Sequence, residues 1–189
     1  MSVRSVVSNA YRSALPVVML SAVGGLLAGT ILGGMDTELR TVRGLLVMVP
    51  AFLAIRGSVY GSLGSRLSSA LHQGLIEPIF EPNERLVNAV LAALLNGLAA
   101  SLAAALLTFG ILSVLDTSVA PLRVLVFIAL LGGALAGVAL TVVIVVVVFV
   151  GYRRGMNPDD LVGPAMTTAG DIFGMASLFV ATRAAIALL

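Results

Sequence analysis

The chain has 189 residues, of which 59% are apolar and 11% charged, with a mean hydropathy of +1.12. Soluble domains carry roughly 45–50% apolar and about 25% charged residues, so a water-soluble fold is excluded and the solvent must be lipid. Eleven Arg and no Lys stand against nine acids, scattered along the chain and not gathered into a basic face, which argues against a nucleic-acid partner. The chain has no Cys, which removes disulfides, thiolate metal sites and Cys nucleophiles together. One His and no Trp argue against a zinc or haem centre.

A membrane span needs about 20 mainly apolar residues. The opening MSVRSVVSNAYRSAL sets Arg4 and Arg12 before an apolar run, as a signal peptide would. That run is about twenty residues long and carries no small-residue cleavage site, so it reads as an uncleaved first span over about 14–35. Four further spans are expected over about 42–71, 86–115, 122–152 and 160–188. The second contains Arg56 and Arg66, the fourth the β-branched run 141–148, and the fifth Asp171. In lipid only helices and closed barrels satisfy the backbone, and runs without polar alternation favour helix. The predicted fold class is all-α: a polytopic membrane protein with five transmembrane helices, one membrane domain over residues 1–189.

The connections 36–41, 72–85 (His72 to Arg85, with Pro78 and Pro82), 116–121 and 151–159 are too short for a soluble domain. Five helices put the termini on opposite sides. Arg4, Arg12, Arg85, Arg153 and Arg154 share the N-terminal side, against Arg40, Arg43, Arg123 and Arg183 on the other. Five against four predicts a cytoplasmic N-terminus and an external C-terminus in the plasma membrane. Gly25-x3-Gly29, Gly29-x3-Gly33, Gly57-x3-Gly61 and Gly133-x3-Gly137 have the spacing of close helix contacts, and plain packing is the expected role of each.

Two segments interrupt the apolar pattern. In Arg56-Gly-Ser-Val-Tyr-Gly-Ser-Leu-Gly-Ser-Arg-Leu-Ser-Ser-Ala70, the residues Ser58, Ser62, Ser65 and Ser69 recur at helical spacing as one polar stripe, with Gly57, Gly61 and Gly64 beside it. Two Arg and four Ser are costly against lipid, so the stripe should face protein or water. It serves either interhelical hydrogen bonds or the lining of a permeation path.

The second segment is Met156-Asn-Pro-Asp-Asp-Leu-Val-Gly-Pro-Ala-Met-Thr-Thr-Ala-Gly-Asp-Ile-Phe-Gly174. Asn157-Pro-Asp-Asp reads as a helix N-terminus, with Asp159 and Asp160 against the positive end of the dipole. Asp171 lies eleven residues beyond Asp160, about 16 Å into the helix, at membrane depth. Thr167 and Thr168 share its helix face by spacing, Gly163 continues that face, and Pro164 frees a carbonyl of the preceding turn. Carboxylate, hydroxyl and carbonyl oxygens make a hard-cation site. One Asp per chain, supplied twice by a two-fold dimer, suits a largely hydrated divalent ion. An ion pair between Asp171 and Arg56 or Arg66, or a proton-relay acid, is the other reading. Catalysis has little support: His72 sits at a helix end, Asp171 has no paired acid at its depth, and there is no phosphate-binding GxxxxGK[ST] loop.

Residues 157–171 resemble the last-helix signature of MgtE magnesium channels and their eukaryotic solute-carrier relatives, in which Asp-Pro or Asn-Pro-Asp is followed by a second Pro and a mid-helix Asp. Arg56-Gly-Ser with Gly64-Ser-Arg-Leu-Ser-Ser-Ala70 is similar to their helix-two signature, closest to the eukaryotic Lys-Gly-Asn…Ala-Ser-Arg-Leu-Ser-Thr-Ala. The resemblance implies a homodimer conducting or exchanging Mg2+ through a pore on its two-fold axis. It implies a hydrated-Mg2+ site at Asp171, with Thr167, Gly163, Gly57 and Ser58 contributing oxygens. Asp159, Asp160, Thr168 and Ser62 would lie at the mouth or along the lining. Ser58 stands where the family has Asn, and Tyr60 where eukaryotic members often carry an acid. Only about thirteen residues precede the first span, so gating by the sensing domains of MgtE is expected to be absent or supplied by a separate regulatory subunit. Transport of Co2+ or Ni2+, Na+-coupled divalent export, or a non-transporting scaffold subunit are the alternatives.

Overall fold

Backbone amides that enter lipid must find partners within their own chain, so long apolar runs become helices. The structure, a computed structural model, describes residues 3–81 and 83–188, and every regular element among them is helical. In order these are α1 (Val3–Gly33), α2 (Asp36–Thr41), α3 (Leu45–His72), α4 (Glu84–Val114), α5 (Leu122–Arg153) and α6 (Pro158–Leu188). The β-branched run 141–148 lies inside α5, where lipid overrides its strand propensity. Pro82 and the side chains of Arg4 and Arg12 lie outside the described residues.

Among the described residues four helices, α3 to α6, have the length and hydropathy to cross a bilayer, whereas five were expected. The difference lies in α1, whose apolar stretch is the shorter Val18–Gly33. The helix continues back to Val3 through Ser, Asn and Arg, because helix propagation needs an unbroken chain and not apolarity. The connection at 36–41 also departs from expectation and forms α2. Arg40 Nε donates to both carboxylate oxygens of Asp36 at 2.9 and 3.0 Å, an i,i+4 pair that supports the turn.

The ends of the long helices follow local chemistry. Asn157 Oδ1 accepts the Asp159 N–H at 3.3 Å and Pro158 opens α6, as the Asn-Pro-Asp-Asp pattern predicts. Asn83 caps α4 through the Leu86 N–H at 2.8 Å, two residues ahead of the expected start. Helix α5 ends on Gly155 at φ +72°, with Met156 N–H bonded to Gly151 O at 3.0 Å, a closure that glycine adopts without strain.

Helix α6 is the centre of the bundle, packed against α1, α3 and α5, while α4 covers α3 and α5. Gly24 of α1 lies against Thr168, and Glu38 of α2 lies 3.6 Å from Arg183, so the chain from α1 into α2 advances along α6 in the same direction. Helix α3 runs antiparallel to α6: Gly174 meets Leu53 and Gly64 meets Val162. Two buried clusters fill the interior, one around Phe52, Leu125 and Leu178, the other around Tyr60, Leu140 and Phe149.

Among the described residues one of the four glycine pairs, Gly133 and Gly137, closes a helix contact. A Cβ on Gly133 would stand 2.8 Å from Ser101 Oγ, and one on Gly137 would strike the Tyr60 hydroxyl. At Gly25, Gly29, Gly33, Gly57 and Gly61 the same test finds open space. Spacing makes close approach possible, but a partner helix must be there to use it.

Candidate cation site

The inner face of α3 buries Phe52, Arg56, Tyr60, Leu63 and Leu67, while Gly57, Ser58, Ser62, Ser65 and Ser69 are exposed or lie at the surface of the bundle. The two arginines expected to share the polar stripe therefore part. Arg66 is exposed with the serines, and Arg56 points inward and is 0% exposed.

Arg56 is held by neutral acceptors alone. Its Nε donates to Phe52 O at 3.3 Å, Nη1 to Gly133 O at 3.2 Å, and Nη2 to Ser101 Oγ. Ser101 in turn donates to Gly97 O at 2.6 Å, and the guanidinium lies 4.3 Å over the Phe52 ring. These contacts join α3, α4 and α5 at membrane depth. Sequence reading found Arg56 but not Ser101 or Gly133 as its partners. Gly133 was visible only as half of a packing motif.

Asp171 stands thirteen residues after Pro158 and seventeen before Leu188, about 20 Å from the start of α6. It is half-buried and opens into a groove of about 380 Å³ between α3 and α6. Gly57 and Gly61 form one wall of this groove; Gly163, Thr167 and Asp171 form the other. The expected alternative, an Asp171–Arg pair, is not what forms. Among the described residues the ion pairs are Arg40–Asp36 and Arg183–Glu38.

The groove is lined with acceptors. Thr167 Oγ1 donates to Gly163 O at 3.0 Å, so its hydroxyl proton is committed and only lone pairs remain for a visitor. With the Asp171 carboxylate, this surface suits a cation or the protons of its water shell, and not an anion. Among the described residues, no group of three or more His, Cys, Asp or Glu could strip an ion of its water. One carboxylate beside hydroxyl and carbonyl oxygens fits an ion that keeps its waters.

The structure brings together Asp171, Thr167, Gly163 and Gly57, and adds Gly61, Ala54 and Gly170. Gly61 was legible one turn beyond Gly57. Ser58 and Ser62 lie one step round α3, in a neighbouring groove facing Ala93 and Asn96 of α4. Thr168, expected beside Thr167, turns to α1: its Cγ2 would lie 2.8 Å from a Cβ on Gly24, and its buried hydroxyl has no hydrogen-bond partner among the described residues. Spacings of three and four from Asp171 fall on opposite flanks of the same arc, and α1 covers one of them. Asp159 and Asp160 are exposed in the first turn of α6. Tyr60 is fully buried between α4 and α5, away from the groove.

The family model described as MgtE, divalent cation transporter, matches residues 49–181, from the first turns of α3 into α6, and so takes in both walls of the groove. The chain belongs to the MgtE family. No curated protein matches it. As an MgtE member it is a transporter of divalent cations and not an enzyme. Its apolar helices make it a multi-pass protein in contact with lipid.

Proposed function

We propose that this protein moves Mg2+ across the plasma membrane as a homodimer, with a hydrated ion held at Asp171. One observation carries the reading. A carboxylate in the middle of α6 faces outward from the bundle, into a glycine-walled groove, with no basic partner among the described residues. Against lipid such a group costs several kcal/mol, so water, a cation or a second copy must face it. A second copy related by a two-fold axis would close the groove into a path and double the carboxylate. A single acid per chain then suits an ion that keeps several waters, which is the habit of Mg2+.

Thr167, Gly163 and Gly57 would take hydrogen bonds from those waters. Ser58 and Ser62 would keep the flank of the path hydroxylated, and Asp159 and Asp160 would concentrate cations at its mouth. Helix α1 would supply the fifth crossing. Its register on α6, with Gly24 at Thr168 and Glu38 near Arg183, supports this, since the two helices then span the same layer in the same direction. The Arg distribution supports a cytoplasmic N-terminus.

The test is Mg2+ uptake into proteoliposomes, paired with growth rescue at low Mg2+ of cells lacking their own uptake systems. Wild-type protein should give saturable uptake and rescue. Uptake of Co2+ or Ni2+ in preference to Mg2+, or uptake by Asp171→Ala equal to wild type, would refute the assignment.

A further inference from the structure

We infer that Arg56 is a fixed positive charge placed behind the cation groove, weakening the hold of Asp171 on a dication so that the ion leaves as readily as it arrives. This rests on the cation site proposed at Asp171. Three observations lead to it.

First, Arg56 is 0% exposed, and its acceptors are two backbone carbonyls and one serine hydroxyl, all neutral. A guanidinium stays ionised in proteins, so its charge is neither lost nor cancelled by the cradle. Second, the cradle is costly as a packing device. A buried charge can often be replaced by an apolar side chain of similar volume with no loss of stability, and the Phe52, Gly133 and Ser101 surroundings need no charge to pack. Third, its stem lies against the residues that flank the acid. A Cβ on Gly174 would meet Arg56 Cγ at 3.6 Å, and one on Gly170 would meet Arg56 Cβ at 4.0 Å. Gly170 directly precedes Asp171, and Leu53 and Gly57, either side of Arg56 in sequence, line the groove itself. The stem of Arg56 therefore stands one helix contact from the residues beside the acid, while its guanidinium reaches on to α5 and α4, in a medium where screening is weak.

A lone carboxylate at membrane depth, doubled by symmetry, would trap a divalent ion. Conduction needs binding strong enough to admit the ion and weak enough to release it. One Arg56 per Asp171 brings the local protein charge close to zero before the ion arrives, and leaves the hydrogen-bonding oxygens in place.

The test uses full-length protein in proteoliposomes, with Mg2+ as the probe. Neutral variants Arg56→Gln and Arg56→Met should bind Mg2+ about tenfold more tightly, with saturation at lower concentration and a lower maximal flux. Arg56→Lys, which keeps the charge, should retain the wild-type affinity and flux. A structural lesion loosens a site, so tightening with slower turnover is a result that damage does not mimic. Unchanged or weaker binding in the neutral variants, or Gln and Lys behaving alike, would overturn the inference. Loss of assembly in both Gln and Met variants would also overturn it, by assigning Arg56 to the fold. Asp171→Asn separates the two readings. If it leaves Mg2+ binding intact, the site itself is misplaced; if it abolishes binding while Arg56→Gln does not tighten it, the site stands and the role of Arg56 falls.

Discussion

Arg56 and Asp171 both sit at membrane depth in this protein, and the bundle treats them in opposite ways. Arg56 is enclosed: its donors reach Phe52 O, Gly133 O and Ser101 Oγ, and none of it meets the surface. Asp171 is left open, in a groove whose glycine walls at Gly57, Gly61 and Gly163 have nothing within 4 Å of a would-be Cβ. An ionisable group in lipid is tolerated when something solvates it. Arg56 finds that solvation inside one chain. Asp171 does not, and the proposal that an ion is held there rests on that incompleteness.

The contrast breaks first at the acid itself. Asp171→Ala should lower Mg2+ uptake by about 100-fold or more while the protein still elutes as an assembled species on size exclusion. A collapse of the assembly would instead make the carboxylate part of the fold.

The glycines test the same division next. Gly133→Leu must displace Ser101 and the guanidinium it serves, and should cost about 1–3 kcal/mol or more of stability in thermal unfolding. Gly57→Leu has room, so its unfolding should match wild type while its uptake falls as the groove narrows. Equal melting losses for the pair would erase the distinction between closed and open walls.

Within the enclosed site, Ser101→Ala leaves Nη2 of Arg56 without its acceptor and should cost about 1–3 kcal/mol. If the variant melts with wild type, another group has taken the hydrogen bond. The smallest effects are expected from the adjacent threonines. Thr167→Val should weaken Mg2+ binding about threefold to tenfold, the worth of one net hydrogen bond, without altering stability. Thr168→Val removes a buried hydroxyl that has no partner among the described residues, and should stabilise the protein by up to about 1 kcal/mol with uptake unchanged. Reversed effects at the two positions would mean that α6 is rotated from its present orientation.

Much of the site was readable because it is local. Asn157-Pro-Asp-Asp starts α6 through contacts within two residues, and that start sets the depth of Asp171 by counting. The oxygens of Asp171, Thr167 and Gly163 share an arc by i,i+4 spacing alone. Thr168, expected on that arc, lies against α1, because three- and four-residue spacings diverge about the helix axis and α1 decides which is covered.

Helix α3 carried less information. Arg56 and Ser58 are two residues apart, yet one is at the centre of the bundle and the other on its surface. Apolar residues lie all round α3, so composition along the helix does not reveal how it is turned. The four glycine pairs carried least, since an identical spacing serves a filled contact at Gly133–Gly137 and an open wall at Gly57–Gly61.

Length, apolarity and the spacing of a few polar residues were therefore enough to establish a helical membrane protein, the depth of its acid and the oxygen chemistry around it. These depend on the solvent and on contacts within one helix. The rotation of α3, the neutral enclosure of Arg56, the turning of Thr168 to α1 and the opening of the glycine groove required the assembled bundle. Each depends on which neighbour fills the space beside a residue, and in lipid, where apolar faces have no solvent to flee, packing alone makes that choice.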